Sequence, residues 1–290
     1  MIKPKVTIGV CVRNGEDHIR DAILSIIGQD FPHELMEVIF VDDGSEDRTL
    51  SIIESYVPKM NMQMKVFHQE WKGLGETRNV VVNNANGEYI IWVDCDMKLT
   101  RDFVRKQVGF MDRNEKVAVA RGRFRGLPSN SLVATLENLE WIAIDYLANK
   151  EENMDEKLHF CGGSIYRVDA LRNVGGFDDR IKGAGEDEDI EYRLRKAGWL
   201  VTEGAKVIFY EKRKDTWKAL WNQYFWYGFS AHLIPDNKKT MNTQSLLVQL
   251  LYSKTAYKLT GRKIAFLLPF QYCFKAIALF AGFLKVYAHK

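Results

Sequence analysis

The sequence predicts an α/β protein: a wound, mostly parallel sheet flanked by helices, followed by a C-terminal helical extension of amphipathic and apolar character. Three observations predict it. Short, dense apolar runs bounded by acidic or glycine-containing turns recur early in the chain and read as strands buried on both faces. Segments with helical spacing of apolar residues alternate with them, as right-handed crossovers in a parallel sheet require. Near Trp217 the composition turns aromatic and basic. We therefore divide the chain into a sheet domain, residues 1–212, and a helical region, residues 213–290.

Residues 5–12 form the first strand, ending at Arg13-Asn14-Gly15. Residues 16–29 then place Ile19, Ala22, Ile23, Ile26 and Ile27 on one helical face. Residues 38–41 are a second buried strand, ending in Asp42-Asp43-Gly44-Ser45. Ser45 is expected to N-cap the next helix, which carries Leu50, Ile53 and Val57. A third strand is expected near 64–68, a helix over 75–84, and a central strand over 89–93. A helix over 103–113 and a strand over 117–123 follow. Residues 132–147 form a long amphipathic helix carrying Glu137 and Glu140. In Phe160-Cys161-Gly162-Gly163-Ser164, the small residues either bring backbone close to a ligand or mark a tightly packed strand. Gly183-Ala184-Gly185 leads into a helix opened by Glu186-Asp187-Glu188-Asp189. Ile190, Leu194 and Ala197 line its buried face, and Gly198 is its C′ residue. Four acids in a first turn suit the helix dipole, and an acid at a loop–helix junction is also placed to meet a substrate.

The central strand stops at Asp94-Cys95-Asp96, a D-x-D pattern whose carboxylates point the same way on an extended backbone. In open α/β sheets, ligands bind outside the carboxyl ends of strands. Two acids there repel each other unless a cation or a ligand's polar groups lie between them. A divalent cation carrying a phosphate-bearing ligand meets that need; a plain polar turn is the alternative. The first βα turn has Gly15 but no G-x-G-x-x-G fingerprint, and the chain has no G-x-x-x-x-G-K-[ST] loop. Phosphate is thus expected to be held through metal.

At 46% hydrophobic and 27% charged residues, the composition is that of a globular protein rather than a disordered one. The four cysteines, Cys11, Cys95, Cys161 and Cys273, form no C-x-x-C pair, which argues against a disulfide framework or zinc site and fits a reducing compartment. The N-terminus enters a strand almost at once, so no signal peptide is expected. The net charge of +3 hides a division: residues 211–290 hold 13 Lys/Arg and 3 Asp/Glu, a local +10 on a body that is otherwise acidic. Such a tail seeks an anionic surface, nucleic acid or phospholipid.

The chain resembles the inverting glycosyltransferases of family 2, with the GT-A type of fold. The matching segments are residues 10–16, Val41-Asp42-Asp43-Gly44-Ser45, Gly73-Leu74-Gly75-Glu76-Thr77-Arg78-Asn79, Asp94-Cys95-Asp96, and Gly175-Gly176-Phe177-Asp178 leading into Gly185-Glu186-Asp187; together they span about residues 5–210. The resemblance implies a nucleoside-diphosphate sugar donor, UDP- or GDP-linked, and a divalent cation, Mg2+ or Mn2+. It places Asp42 and Arg78 against the nucleoside, with Val12 and Glu16 lining the same pocket. It puts Asp94 at the ribose and metal region, Asp96 as principal metal ligand, and Asp187 as general base with Glu186 beside it. Two departures stand out. The strand after the Glu-Asp helix holds Val207-Ile208-Phe209-Tyr210 where the family commonly has a metal-binding histidine; His159 and His232 are the candidate substitutes. Gln223-Tyr224-Phe225-Trp226 lacks the arginine of the Q-x-x-R-W segment of processive synthases, which favours single-sugar transfer.

In the tail, Trp217, Trp221, Tyr224 and Trp226 precede a mostly apolar stretch interrupted by Pro269, Gln271, Lys275 and Lys285. Aromatic and basic residues beside apolar ones fit helices lying in the headgroup region; a helix closing the core or a dimer interface is the alternative. The expectation is an enzyme peripheral on the cytoplasmic face of the cell membrane, acting on a lipid-linked or glycan acceptor, with no nucleic-acid partner. A sugar-nucleotide-binding or scaffold protein without catalysis, and a sugar nucleotidyltransferase, are the rival readings.

Overall fold

The computed structural model describes residues 2–148, 161–181, 183–230 and 246–287. His159 and His232 lie outside the described residues. By contacts the chain divides into two compact units. One comprises Met1–Arg125, His159–Lys182 and Glu186–Glu211; the other comprises Gly126–Leu158, Gly183–Gly185 and Lys212–Lys290.

The first unit is built on an eight-stranded sheet. Its strands are β1 (Val6–Val12), β2 (Met36–Asp43), β3 (Gln63–Gln69), β4 (Tyr89–Trp92), β5 (Met97–Leu99), β6 (Val117–Gly126), β7 (Ser164–Arg167) and β8 (Leu200–Glu211), in the order β3-β2-β1-β4-β7-β6-β8-β5. Helices α1 (Ile19–Ile27), α2 (Thr49–Tyr56) and α3 (Leu74–Asn84) make the crossovers among the first four strands. β3, β2, β1 and β4 run parallel, whereas β7 is antiparallel to both β4 and β6, and β5 to β8. The fully buried rows of β2 and β4 explain their unbroken apolar runs. From β1 the chain winds outward through β2 to β3, then returns to place β4 on the other side of β1. That reversal makes the carboxyl ends of β1 and β4 the topological switch point, where a crevice opens and ligands bind.

Helices α4 (Phe103–Arg113), α6 (Val168–Asn173) and α7 (Glu186–Lys196) complete this unit. α7 ends as its sequence predicts. Gly198 has φ +88, its N–H donates to the Arg195 carbonyl, and the Trp199 N–H reaches back to the Leu194 carbonyl. This is the Schellman pattern.

The second unit is helical: α5 (Leu132–Ala148), α8 (Trp217–Ser230), α9 (Leu246–Thr260) and α10 (Leu268–Tyr287). Leu136, Leu139, Ala143, Tyr252, Ala256 and Leu268 form its apolar centre. Helices α8 and α10 approach to backbone contact at Gly228 and Gly282, where any Cβ would strike the carbonyl of Leu279 or Phe225. Beside that centre lies a buried polar network. The Lys275 ammonium pairs with Glu137 and with Glu140, the latter at 2.5 Å, and Gln249 donates to Glu140 at 3.2 Å. Large apolar side chains are exposed on this unit: Leu247, Phe266, Phe270, Ile277 and Phe280 are all more than half exposed. Among the described residues, the run Lys263–Lys285 is long and apolar enough to cross a membrane.

Candidate functional site

Three loops meet at the carboxyl ends of β1, β2 and β3, and hydrogen bonds latch them together. The Asn14 N–H donates to Ser45 Oγ and its Oδ1 accepts from the Glu46 N–H, both at 2.9 Å. The Gly15 N–H donates to Thr49 Oγ1 at 2.8 Å, and the Glu16 N–H to Asp47 Oδ2 at 3.1 Å. In return the Glu16 carboxylate accepts from the Arg48 N–H at 3.0 Å and its guanidinium at 3.1 Å. These bonds hold the Glu16 carboxyl below the usual range. Ser45 is therefore not the cap of α2. The helix begins at Thr49, whose N–H is satisfied by Asp47 Oδ1 at 2.9 Å, while the Ser45 hydroxyl is engaged by Asn14. Asp43 closes the third loop, accepting from the Lys72 N–H at 2.9 Å and the Gly73 N–H at 3.1 Å.

Strand register aligns Val12, Asp42 and His68 in one row across β1, β2 and β3. Asp42 is fully buried. Its Oδ2 accepts from His68 Nδ1 at 2.7 Å and from the Ser45 N–H at 3.4 Å. A carboxylate only accepts, so Nδ1 carries the proton. The other oxygen, Oδ1, is buried and has no hydrogen-bond partner among the described residues. A buried polar atom in that state costs about 1–3 kcal/mol, which a donor arriving with a ligand would recover. His68 was not among the residues singled out from sequence. Its signal was the strand expected over 64–68, but its pairing with Asp42 depends on strand order and register.

The second cluster is built on α3 and α7. Arg78, 4% exposed, pairs with Glu186, 3% exposed. The guanidinium lies over the rings of Trp92 at 5.6 Å and Phe177 at 5.5 Å, which themselves meet edge to face. Burial pushes the Glu186 carboxyl up to about 7, Arg78 opposes that shift, and the neighbouring charges of Asp187 and Asp94 add to it. Asp187, half-buried in the same first turn of α7, accepts the Glu188 N–H at 2.9 Å.

Asp94 and Asp96, both half-buried, lie on the loop leaving β4 at the switch point. A Cβ on Gly15 would meet the Cys95 sulfur, so the loops after β1 and β4 touch. Both glycines pack against protein side chains, as the tightly packed reading of this segment requires. A side chain at Gly163 would collide with the Phe209 ring, whereas one at Gly162 would collide with Met97 and the Asp94 carboxylate. Thus Val12 and Asp42 share one row, while Arg78, Glu186, Asp187 and Asp94 share one electrostatic neighbourhood. Glu16 is joined to Arg48 in the latch. Tyr210, where a histidine ligand was sought, sits in register with Lys98 of β5.

Among the described residues no group of three or more His, Cys, Asp or Glu is placed to hold a metal ion. Mg2+-type ions in phosphate chemistry rarely need such a cage; one or two carboxylates, the substrate's phosphates and water suffice. The hard oxygen donors of Asp94 and Asp96 fit a cation completed by a diphosphate.

Residues 7–175 match the family described as Glycosyl transferase family 2. The chain belongs to that family, and its sheet is of the GT-A type. Among curated relatives, the probable glycosyltransferase YdaM of Bacillus subtilis (strain 168) is 25% identical over 226 residues, 76% of this chain and 53% of that protein. The poly(ribitol-phosphate) beta-N-acetylglucosaminyltransferase TarS of Staphylococcus aureus (strain Mu50 / ATCC 700699) is 34% identical over 110 residues, 38% of this chain and 19% of TarS. The chain thus spans about half or less of the length of these relatives. Among solved structures, the mannosyltransferase PcManGT of Pyrobaculum calidifontis, in complex with GDP-Man and Mn2+, superposes with a TM-score of 0.67 at 17% identity, covering 98% of this chain and 87% of that one. S. aureus TarS 1–349 in complex with UDP-GlcNAc gives 0.57 at 21% identity, with 88% and 73% covered. At these identities the likeness is one of fold.

Proposed function

We propose that this chain transfers a sugar from a nucleoside-diphosphate sugar to an acceptor hydroxyl by single displacement with inversion. The observation that carries the reading is that Asp94, on the loop leaving β4 at the β1/β4 switch point, lies close enough to the first turn of α7 for its charge to act on Glu186. Asp96, with Asp94, is assigned to hold the divalent cation. Bound there, such an ion neutralises charge developing on the diphosphate as it leaves. Val12, Glu16, Asp42 and Arg78 are assigned to the donor pocket, Arg78 being held in place by its pair with Glu186. Asp187 is the general base: it takes the acceptor's hydroxyl proton as that oxygen bonds to the anomeric carbon and the bond to phosphate breaks. Base and leaving group on opposite faces of the sugar give inversion. Glu186, locked to Arg78, positions the turn that presents Asp187.

The acceptor side is assigned to a membrane. The second unit exposes large apolar side chains and buries the Lys275 ion pairs beside its apolar centre, an arrangement that suits helices facing lipid. A lipid-linked or glycan acceptor at the cytoplasmic face agrees with it. The test is a screen of nucleotide sugars for Mn2+-dependent hydrolysis and transfer. If no nucleotide sugar turns over or binds, the reading falls.

A further inference from the structure

We infer that His68 makes the donor site selective for a nucleoside whose base offers a single ring N–H between two carbonyls, the edge shared by uracil and thymine, and selects against guanine. The inference rests on the proposed donor site and deepens it. Asp42 has two carboxylate oxygens and they are unequal. Oδ2 accepts from His68 Nδ1 at 2.7 Å and from the Ser45 N–H, while Oδ1 is buried with no hydrogen-bond partner among the described residues. Guanine presents two adjacent donors, N1–H and N2–H, which match a carboxylate through both oxygens side by side. Here that match would require guanine to displace the His68 N–H from Oδ2. Uracil and thymine present one donor, N3–H, which a single oxygen satisfies. A site with one unpaired acceptor strands the second donor of guanine, and an unpaired polar group at a binding site is what gives strong discrimination.

His68 is well placed to hold that asymmetry. It lies opposite Asp42 in the parallel register of β2 and β3, so its position is set by the sheet rather than by a loop. Its own side chain is 53% exposed, so replacing it removes little packing. His68 is a positioning residue here: it acts on the base through Asp42.

The experiment is calorimetric titration of the full chain with UDP, dTDP and GDP, each with Mn2+. Wild type should bind UDP or dTDP at least about tenfold more tightly than GDP, one missed hydrogen bond's worth; the UDP and dTDP arms separate uracil from thymine. His68→Ala should narrow that ratio by freeing Oδ2, and His68→Asn, which restores an N–H donor, should recover it. Circular dichroism verifies that the variants fold. GDP binding as tightly as UDP in wild type overturns the inference and leaves the proposed transferase standing. A His68→Ala variant that weakens all three nucleotides equally also overturns it, because His68 would then be merely structural. Failure of every nucleotide to bind overturns the donor site itself, and this inference with it.

Discussion

Glu186 and Asp187 are adjacent in sequence and opposite in circumstance. Glu186 is buried and tied to Arg78, whereas Asp187 is half-buried with no arginine of its own. General-base catalysis contributes about 10²–10⁴-fold, so Asp187→Asn should lose turnover by that factor while calorimetry shows donor affinity nearly unchanged. Collapse of donor affinity with turnover intact at saturation would make Asp187 a binding residue. Glu186 carries a separate signature. Its carboxyl is raised by burial to about 7, above the ordinary 4.5. Between those values the folded chain binds more protons than the unfolded one, so this group's contribution to stability falls as pH rises through that window. Glu186→Gln should remove that slope, a difference of roughly 2–3 kcal/mol between pH 5 and pH 8 by urea unfolding. Wild type and variant with parallel pH profiles would show that Glu186 keeps an ordinary affinity for protons. Of this cluster, the sequence displayed the residues and their motif order but not the Arg78–Glu186 pair. Its members are 108 positions apart, and nothing local to either one announces the other.

β2 and β4 were legible because burial on both faces leaves apolar runs, whereas the short β5 was not, and α4 was legible from its amphipathic stripe. Helix ends divide more finely. Gly198 was readable as the stop of α7 because a positive φ after a periodic run nearly demands glycine. Ser45 was misread as the start of α2 because Ser45 and Asp47 are both good capping residues, and only the latch to Asn14 decides between them. The stop of α7 yields a clean test. Nothing lies within 4 Å of a Cβ built at Gly198, so Gly198→Ala meets no clash and pays only for its φ of +88. It should lower stability by about 1–2 kcal/mol, read from the urea midpoint with an unchanged slope. An unaffected midpoint would mean that the chain relaxes there without cost.

Across the whole chain, the tail's composition announced a separate helical region, but not that α5, from the middle of the sequence, would join it. Glu137 and Glu140 read as the polar side of an amphipathic helix; in the fold they face inward to Lys275. This inversion accounts for two of the polar interruptions of the tail, since Gln271 and Lys275 are buried while Phe270, Ile277 and Phe280 sit outside. It also shows how the membrane reading should be tested. Deleting α10 would strip the surface that Gly228 of α8 packs against, so lost binding could reflect unfolding alone. Replacing exposed side chains avoids this. The triple variant Phe270→Glu, Ile277→Glu and Phe280→Glu should keep wild-type circular dichroism but fail to co-sediment with anionic vesicles. Wild type should bind them, weaken in high salt as lysine and arginine attraction is screened, and resist full release because apolar insertion does not depend on salt. Hydrolysis of a soluble donor should be unchanged in the variant, because Val12, Asp42, Asp94, Asp96 and Asp187 all lie in the first unit. A triple variant that binds vesicles as wild type does would show that lipid is not what covers this face.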